Sequence, residues 1–303
     1  MGNTQVKYFQ PLKVTYVIIT RLLNTVLRRF ALANPSRHPL EYIMKLASWN
    51  VNSLKVRLPH VLDWLAEHQP DILGLQETKT IDDNFPLEDI QAAGYHVAFA
   101  GQKTYNGVAL LSKAEASDVI TDLPGLDDPQ RRVLGATVHT DRGDVRFLNL
   151  YVPNGSEVGS EKYEYKLGWL AALEKYIESQ LAAHEKFVVV GDFNIAPDDR
   201  DLWDPEGWKD KILVSPPERA AFQRLIDMGL TDTFRLFEQD EKTYSWWDYR
   251  AAGFRRNHGM RIDLLLSNPA MSQRCTASYV DKEPRKLERP SDHAPVVAEF
   301  SED

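Results

Sequence analysis

Between residues 46 and 300, eleven short apolar runs of strand character are interleaved with only four segments of helical periodicity. The strand-like runs fall at 46–51, 72–75, 95–100, 108–111, 133–140, 145–152, 187–190, 243–247, 262–266, 276–280 and 295–300. The helical patterns fall at 58–68, 87–93, 162–183 and 217–228. Eleven strands are too many for one ordinary open sheet. Four helices are too few to cover each strand as a parallel α/β barrel demands. Two packed sheets with helices on their outer faces fit both counts, so the expected fold class is α/β. No internal repeat, low-complexity tract or linker follows residue 44, and residues 44–303 read as a single domain.

Residues 1–43 stand apart as an N-terminal extension. The first forty hold Lys7, Lys13, Arg21, Arg28, Arg29 and Arg37 and no acidic residue, while Ile18, Leu22, Val26 and Phe30 recur at helical spacing. Three readings fit: a short amphipathic helix, an Arg-rich organellar presequence, or an upstream stretch preceding a true start at Met44. The third is followed here, with the cytoplasm as the place of action and organellar targeting as the alternative. No apolar run approaches the length of a membrane span, so no membrane partner is expected. The single cysteine, Cys275, excludes an internal disulfide and any multi-cysteine zinc site. The net charge of −8 leaves −14 for residues 41–303. A body that acidic is a poor generic polyanion binder, so any nucleic-acid role needs a local basic patch.

Several apolar runs end alike. The run 187–190 leads into Gly191, Asp192, Phe193 and Asn194, and in an extended chain residues two apart point to the same side. The first run leads into Asn50 and Asn52, the second into Gln76 and Glu77, and the sixth into Tyr151 and Asn154. Asp263 follows Ile262, and Asp292 and His293 precede the last run. Singly, each has an ordinary explanation: an Asx turn, a surface carboxylate, or a salt bridge from Asp263 to Arg261. Carboxylates at buried strand ends are costly unless paired or bound to a cation, so their recurrence suggests one shared site. Glu77, Asp192, Asp292, Asn50 and Asn194 offer hard oxygens, which suit Mg2+ or Mn2+ and make a poor zinc set. A magnesium site leaves positions to water and substrate phosphate, and the chain has no Walker-type loop for a nucleoside triphosphate. Hydrolysis of a phosphodiester is the natural fit.

The stretches KLASWNVNSL, DILGLQETK, NGVALLSK, LYVPNG, VVVGDFNIAP, TYSWWDYR, RIDLLLS and ERPSDHAPV occur in this order over about 260 residues. Together they resemble the exonuclease III family of abasic-site (AP) endonucleases, within the endonuclease/exonuclease/phosphatase superfamily that includes DNase I. The resemblance implies a four-layer α-β-β-α sandwich, two mixed sheets between outer helices, with the active site at the strand ends. It implies Glu77 as main ligand of Mg2+, with Mn2+ as a substitute, Asn50 close by and Asp292 in the inner or outer shell. Asp192 would orient or deprotonate the attacking water, and Asn194 would steady the water or the phosphate. Asp263 would fix the ring of His293, which would stabilise the phosphate oxygens, and Tyr151 would contact the phosphate or assist the leaving group. A second ion held by Asp192, Asn194 and His293 is the alternative, so one or two ions are both compatible.

The implied substrate is double-stranded DNA with abasic or 3′-blocked sites, incised 5′ to the lesion and trimmed 3′ to 5′ by a monomer. Trp246 and Trp247 would wall the pocket for the base-free sugar, one of them facing the core because strand neighbours point opposite ways. Asn52, Lys103 and Arg250 would bind substrate, with Arg57, Arg255, Arg256 and Arg261 as further phosphate contacts. Two rivals remain: a superfamily phosphoesterase acting on a lipid, an inositol phosphate or RNA, and a non-catalytic RNA-binding regulator.

Overall fold

The continuous apolar runs become central strands because layers cover both of their faces. The computed structural model describes residues 42–302, so the helix and leader read into residues 1–41 lie outside the described residues. One six-stranded sheet contains β1 (Tyr42–Asn50), β2 (Ile72–Gln76), β3 (His96–Ala100), β4 (Val108–Ser112), β13 (Cys275–Val280) and β14 (Val296–Glu302), in the order β13-β14-β1-β2-β4-β3. The other contains β5 (Ala116–Ile120), β6 (Val133–Thr140), β7 (Gly143–Tyr151), β8 (Phe187–Asp192), β9 (Thr231–Asp232) and β12 (Asp263–Ser267), in the order β5-β6-β7-β8-β12-β9. β10 (Trp246–Trp247) and β11 (Gly259–Met260) form a separate antiparallel ribbon. Both sheets are mixed, with β1 parallel to β2 and β7 parallel to β8 among antiparallel pairs.

Helices α1 (Leu54–His68) and α2 (Leu87–Ala92) cover the first sheet; α3 (Glu161–Ala183) and α4 (Pro216–Asp227) cover the second. Alternation along β8 shows the layering. Val188 and Val190 enter the core between the sheets with Leu46, Ile72, Leu110, Leu134 and Phe147, while Phe187 and Val189 pack under α3 against Trp169, Leu173 and Ile177. On the far side Ala47, Trp49, Leu73 and Leu75 pack against Val61, Trp64 and Leu65 of α1. Each such side chain contributes roughly 1.5–3 kcal/mol by leaving water. The expected four-layer α-β-β-α sandwich is the observed fold.

The differences from expectation sit at edges. β5 (ASDVI) escaped the sequence reading because it is a partly exposed edge strand whose register slips between Ser117 and Ile120. The run 243–247 contributes only the two residues of β10, while Ser245 before it bonds through its backbone to Met260 and Ala294 and through its hydroxyl to the Ile262 and Asp263 amides. Among the described residues no helix is long and apolar enough to cross a membrane.

A buried polar contact pins the two sheets together near one end. Asn149 Nδ2 of β7 donates to the Leu75 and Ala109 carbonyls of the opposite sheet, both at 2.9 Å, and Gln76 Nε2 donates back to Asn149 Oδ1 at 2.6 Å. Gly74 makes the room, because a Cβ there would stand 2.8 Å from Asn149 Oδ1. Gly191 serves β8 likewise: at φ +144, its added Cβ would lie 1.9 Å from the Leu150 carbonyl oxygen.

Candidate active site

β1, β2, β7 and β8 end at one edge of the sandwich, and the antiparallel β12 begins there. In register, Asn50 lies opposite Gln76, and Asp192 lies between Tyr151 and Asp263. The turn before β14 joins the same edge, since Trp49 Nε1 donates to the His293 carbonyl at 3.3 Å and Ser291 Oγ to the Asn50 carbonyl at 2.7 Å. Separate strand ends therefore become one cluster. The backbone is held tightly here: Asn52, Glu77, Lys79 and Asn194 have φ of 43, 52, 51 and 47. A non-glycine residue in that left-handed region costs about 1–2 kcal/mol, so the surrounding bonds must over-determine it.

Asn50 Nδ2 bridges the two carboxylates, donating to Glu77 Oε1 and Asp192 Oδ2 at 2.9 Å each. Its Oδ1 accepts from Asn52 N–H at 3.0 Å, so in this arrangement the Asn50 amide turns its NH2 toward the two carboxylates. Asp192 Oδ1 accepts from Asn194 N–H at 2.9 Å. The Asn194 side chain is also engaged, donating to the Val152 carbonyl and accepting from Asn154 Nδ2, each at 3.0 Å. Asp292 stands to one side, with Asn52 Nδ2 at 2.8 Å on Oδ1 and Trp246 Nε1 at 3.1 Å on Oδ2. His293 Nδ1 lies 2.9 Å from Asp263 Oδ2, leaving Nε2 3.8 Å from Asp192 Oδ2.

The electrostatics divide these groups. Burial opposes charge on the His293 ring, but the carboxylates of Asp263 and then Asp192 outweigh it and raise the pKa to about 10. Burial also raises the Asp192 carboxyl, against the pull of the His293 charge. At Asp292 burial is overcome by the His293 charge and the bonds from Asn52 and Trp246, and the carboxyl falls below its ordinary value. The Tyr151 phenol is pushed well above its ordinary range by burial, reinforced by the charges of Glu77 and Asp192, so it keeps its proton.

Ligand atoms of Glu77, Asp192 and His293 lie within 4.8 Å of one another. The carboxylates fit a hard divalent cation, and Lys79 Nζ already sits 2.7 Å from Glu77 Oε2, which shows that this edge favours positive charge. His293 is the third candidate ligand, and its ring, held charged by Asp263 and Asp192 in the metal-free site, would bind a cation only on giving up that proton. Asp292 is not part of this cluster.

The expected substrate contacts separate. Trp246 is partly exposed beside His293, with ring centroids 6.5 Å apart, and packs against Met260 and Ile262. Trp247 is fully buried with Phe234, Tyr244 and Val296, so it walls no pocket. Lys103 lines a cavity of about 700 Å3 with Ser53, Lys55 and Lys79, a local basic patch on this acidic chain. On the other flank Arg132, Tyr151, Asn154 and Lys162 line one of about 440 Å3. Arg250 is exposed but forked onto Asp248 at 2.8 Å, while Arg255 and Arg256 are exposed. Arg261 is no phosphate contact: it is buried between Asp201 at 2.6 Å and Asp232 at 2.7 Å, where two carboxylates compensate its charge. Arg57 ties loops together, donating to the Asn52 and Pro290 carbonyls and to Tyr249 Oη.

Sequence reasoning passed over Ser245, which is fully buried, donates to Asp263 Oδ2 at 2.6 Å and accepts from the Ile262 and Asp263 amides at 3.0 Å each. Its place directly before the tryptophans was the only available signal.

A four-layer sandwich with an acidic cluster and a charged histidine at its strand ends defines a phosphodiester-hydrolysing enzyme of the endonuclease/exonuclease/phosphatase family, whose sequence profile matches residues 47–293. Within it, the chain belongs to the exonuclease III branch. Exodeoxyribonuclease III of Haemophilus influenzae is 39% identical over 270 residues, spanning 85% of this chain and 100% of that protein. The DNA repair nuclease APEX1 of Danio rerio is 32% identical over 260 residues, 84% of this chain and 81% of its own. Among solved structures, the 3′ phosphatase NExo from Neisseria bound to a product DNA hairpin has 50% identity and a TM-score of 0.82 over 85% of this chain and 99% of its own. An AP endonuclease from Archaeoglobus fulgidus has 38% identity and a TM-score of 0.80, covering 85% and 99%.

Proposed function

We propose that the chain is a DNA repair nuclease that incises duplex DNA 5′ to abasic sites and clears blocked 3′ ends, acting as a monomer with one Mg2+, replaceable by Mn2+. The observation that carries this reading is the union of Glu77 and Asp192 with a His293 ring kept charged by Asp263, in a member of the exonuclease III branch. Relatives named for abasic incision and for 3′ processing support both activities.

Glu77 and Asp192 would hold the cation, which when bound neutralises phosphate charge and eases deprotonation of water. Asp192, raised by burial and fixed by Asn194 N–H and Asn50 Nδ2, orients the attacking water and accepts its proton. His293 Nε2–H, aimed away from Asp263, donates to a non-bridging phosphate oxygen where charge builds. Tyr151, which keeps its proton, donates to the phosphate or the leaving oxygen. Asp292 holds Asn52 and Trp246 in place. Trp246, backed by the buried Met260 and Ile262, offers the apolar wall for a sugar without a base, which is cheaper to flip than an intact nucleotide. Lys55, Lys79 and Lys103 receive the phosphates alongside.

The test incubates the full chain with three duplexes, carrying an abasic analogue, a 3′-phosphate at a nick, or no lesion, under Mg2+, Mn2+ or chelator. Metal-dependent incision 5′ to the analogue and release of the 3′-phosphate are expected, with near-complete loss in Glu77→Ala and Asp192→Asn. Phosphoinositide hydrolysis without DNA cleavage would establish the lipid rival. Activity surviving both substitutions would remove the mechanism.

A further inference from the structure

The Lys166 side chain, on α3, is fully buried. An ammonium has three donors, and all are used: on the Asn194 carbonyl at 2.6 Å, the Asn154 carbonyl at 3.2 Å and the Glu218 carboxylate. Glu218, equally buried, also accepts from Leu213 N–H at 3.1 Å, Ser215 N–H at 3.0 Å and Ser215 O–H at 2.7 Å. Tying α3 to α4 does not require this arrangement. Replacing a buried ion pair by apolar side chains is often neutral or stabilising, because two charges must otherwise be desolvated.

What the ammonium reaches, and an apolar side chain would not, is the site. Its two carbonyl partners belong to asparagines whose side chains bond each other, Asn154 Nδ2 to Asn194 Oδ1 at 3.0 Å. Asn194 stands at φ 47, and its N–H is the bond that orients Asp192 Oδ1. Without the ammonium, the Asn194 carbonyl loses a charged donor, and the left-handed turn keeps only the Asn194 N–H and side-chain bonds to Asp192, Val152 and Asn154.

We propose that Lys166 is a positioning residue for the reaction: through the Asn194 and Asn154 carbonyls it holds the turn after β8 in its strained conformation and so aims Asp192 and Asn194. This rests on the roles given above to Asp192 and Asn194. Lys166→Met alone leaves Glu218 buried and unpaired and is expected to destabilise the fold. The informative variant is Lys166→Met/Glu218→Gln, which removes both charges and keeps an oxygen for Ser215. In the full chain it is expected to fold, melting somewhat below the parent because Leu213 N–H loses its acceptor, and to keep KM for DNA within about threefold, while kcat falls at least about thirtyfold. In metal-free protein, amide exchange across residues 192–196 should quicken at least about tenfold while that of α3 stays at the parental rate.

A folded double variant with parental kcat and parental exchange at 192–196 overturns the proposal. So does equal loss in kcat and DNA affinity, or failure to fold, because the pair then supports the whole domain rather than the turn. The parent's turnover on the same DNA tests the reading of the site separately: if the parent does not cleave, that reading fails, and exchange at 192–196 still decides what Lys166 holds.

Discussion

Asp263→Asn removes one charge and almost no volume, and it tests the claim that His293 works as an imidazolium. In the parent both Asp263 oxygens face His293 Nδ1, at 2.9 and 3.1 Å, and the new amide still has an oxygen for that N–H. Burial by itself drives the ring neutral; Asp263 foremost, then Asp192 and Asp292, bring it up to about 10 from an ordinary 6.5. That displacement corresponds to roughly 5 kcal/mol, at about 1.4 kcal/mol per pH unit. Since Asp263 is the largest favourable contributor, the ring in the variant should titrate at least about two pH units lower. The folded value lies above the unfolded one, so the stabilisation is complete below about pH 6.5 and is lost as pH rises through about 10. At neutral pH it amounts to about 4 kcal/mol, and in the variant the alkaline decline in stability should end near pH 8 or below. The assay is an NMR titration of the His293 ring in metal-free protein, with thermal unfolding across the same pH series. A parental ring that titrates near its ordinary value, or a variant ring within half a pH unit of the parent, would refute the reasoning.

Ser245→Ala strands the buried Ile262 and Asp263 amides and releases Asp263, so calorimetry should show a loss of about 2–4 kcal/mol and kcat should drop; an unchanged melting temperature and kcat would count against it. Arg261→Met leaves Asp201 and Asp232 buried and unpaired, and denaturant unfolding should register about 3–5 kcal/mol. If KM for DNA rises instead, with stability unchanged, Arg261 is a phosphate contact after all. Glu77→Gln should weaken Mn2+ binding by at least about tenfold in titration calorimetry, whereas unchanged affinity would place the ion elsewhere.

The helices at 87–93, 162–183 and 217–228 were legible within a residue of their observed bounds because helical periodicity is local. α1 begins at Leu54, four residues before its pattern was visible, because Pro59 within it obscures the start. Asp192, Asn194, Glu77, Asp263 and His293 stood out as polar groups at the mouths of apolar runs. Ser245, Lys166 and Asn149 did not, because nothing local separates a serine in a loop, a lysine on a helix or an asparagine in a strand from its surface counterparts. Their importance comes from partners 18, 28 and 74 positions away.

By itself the sequence determined the layers and the inventory of the site. Burial on both faces writes unbroken apolar runs, and a carboxylate where such a run ends is conspicuous wherever the chain goes next. Tertiary structure alone decided how the inventory is used. It turned Asn50 into a donor between two carboxylates, set Asp292 on Asn52 and Trp246, buried Trp247 and drew Arg261 away from the surface onto Asp201 and Asp232. Those outcomes depend on which groups the two sheets bring within about 3 Å of each other, where hydrogen bonds and charges act, and that distance is a property of the packed layers rather than of any segment.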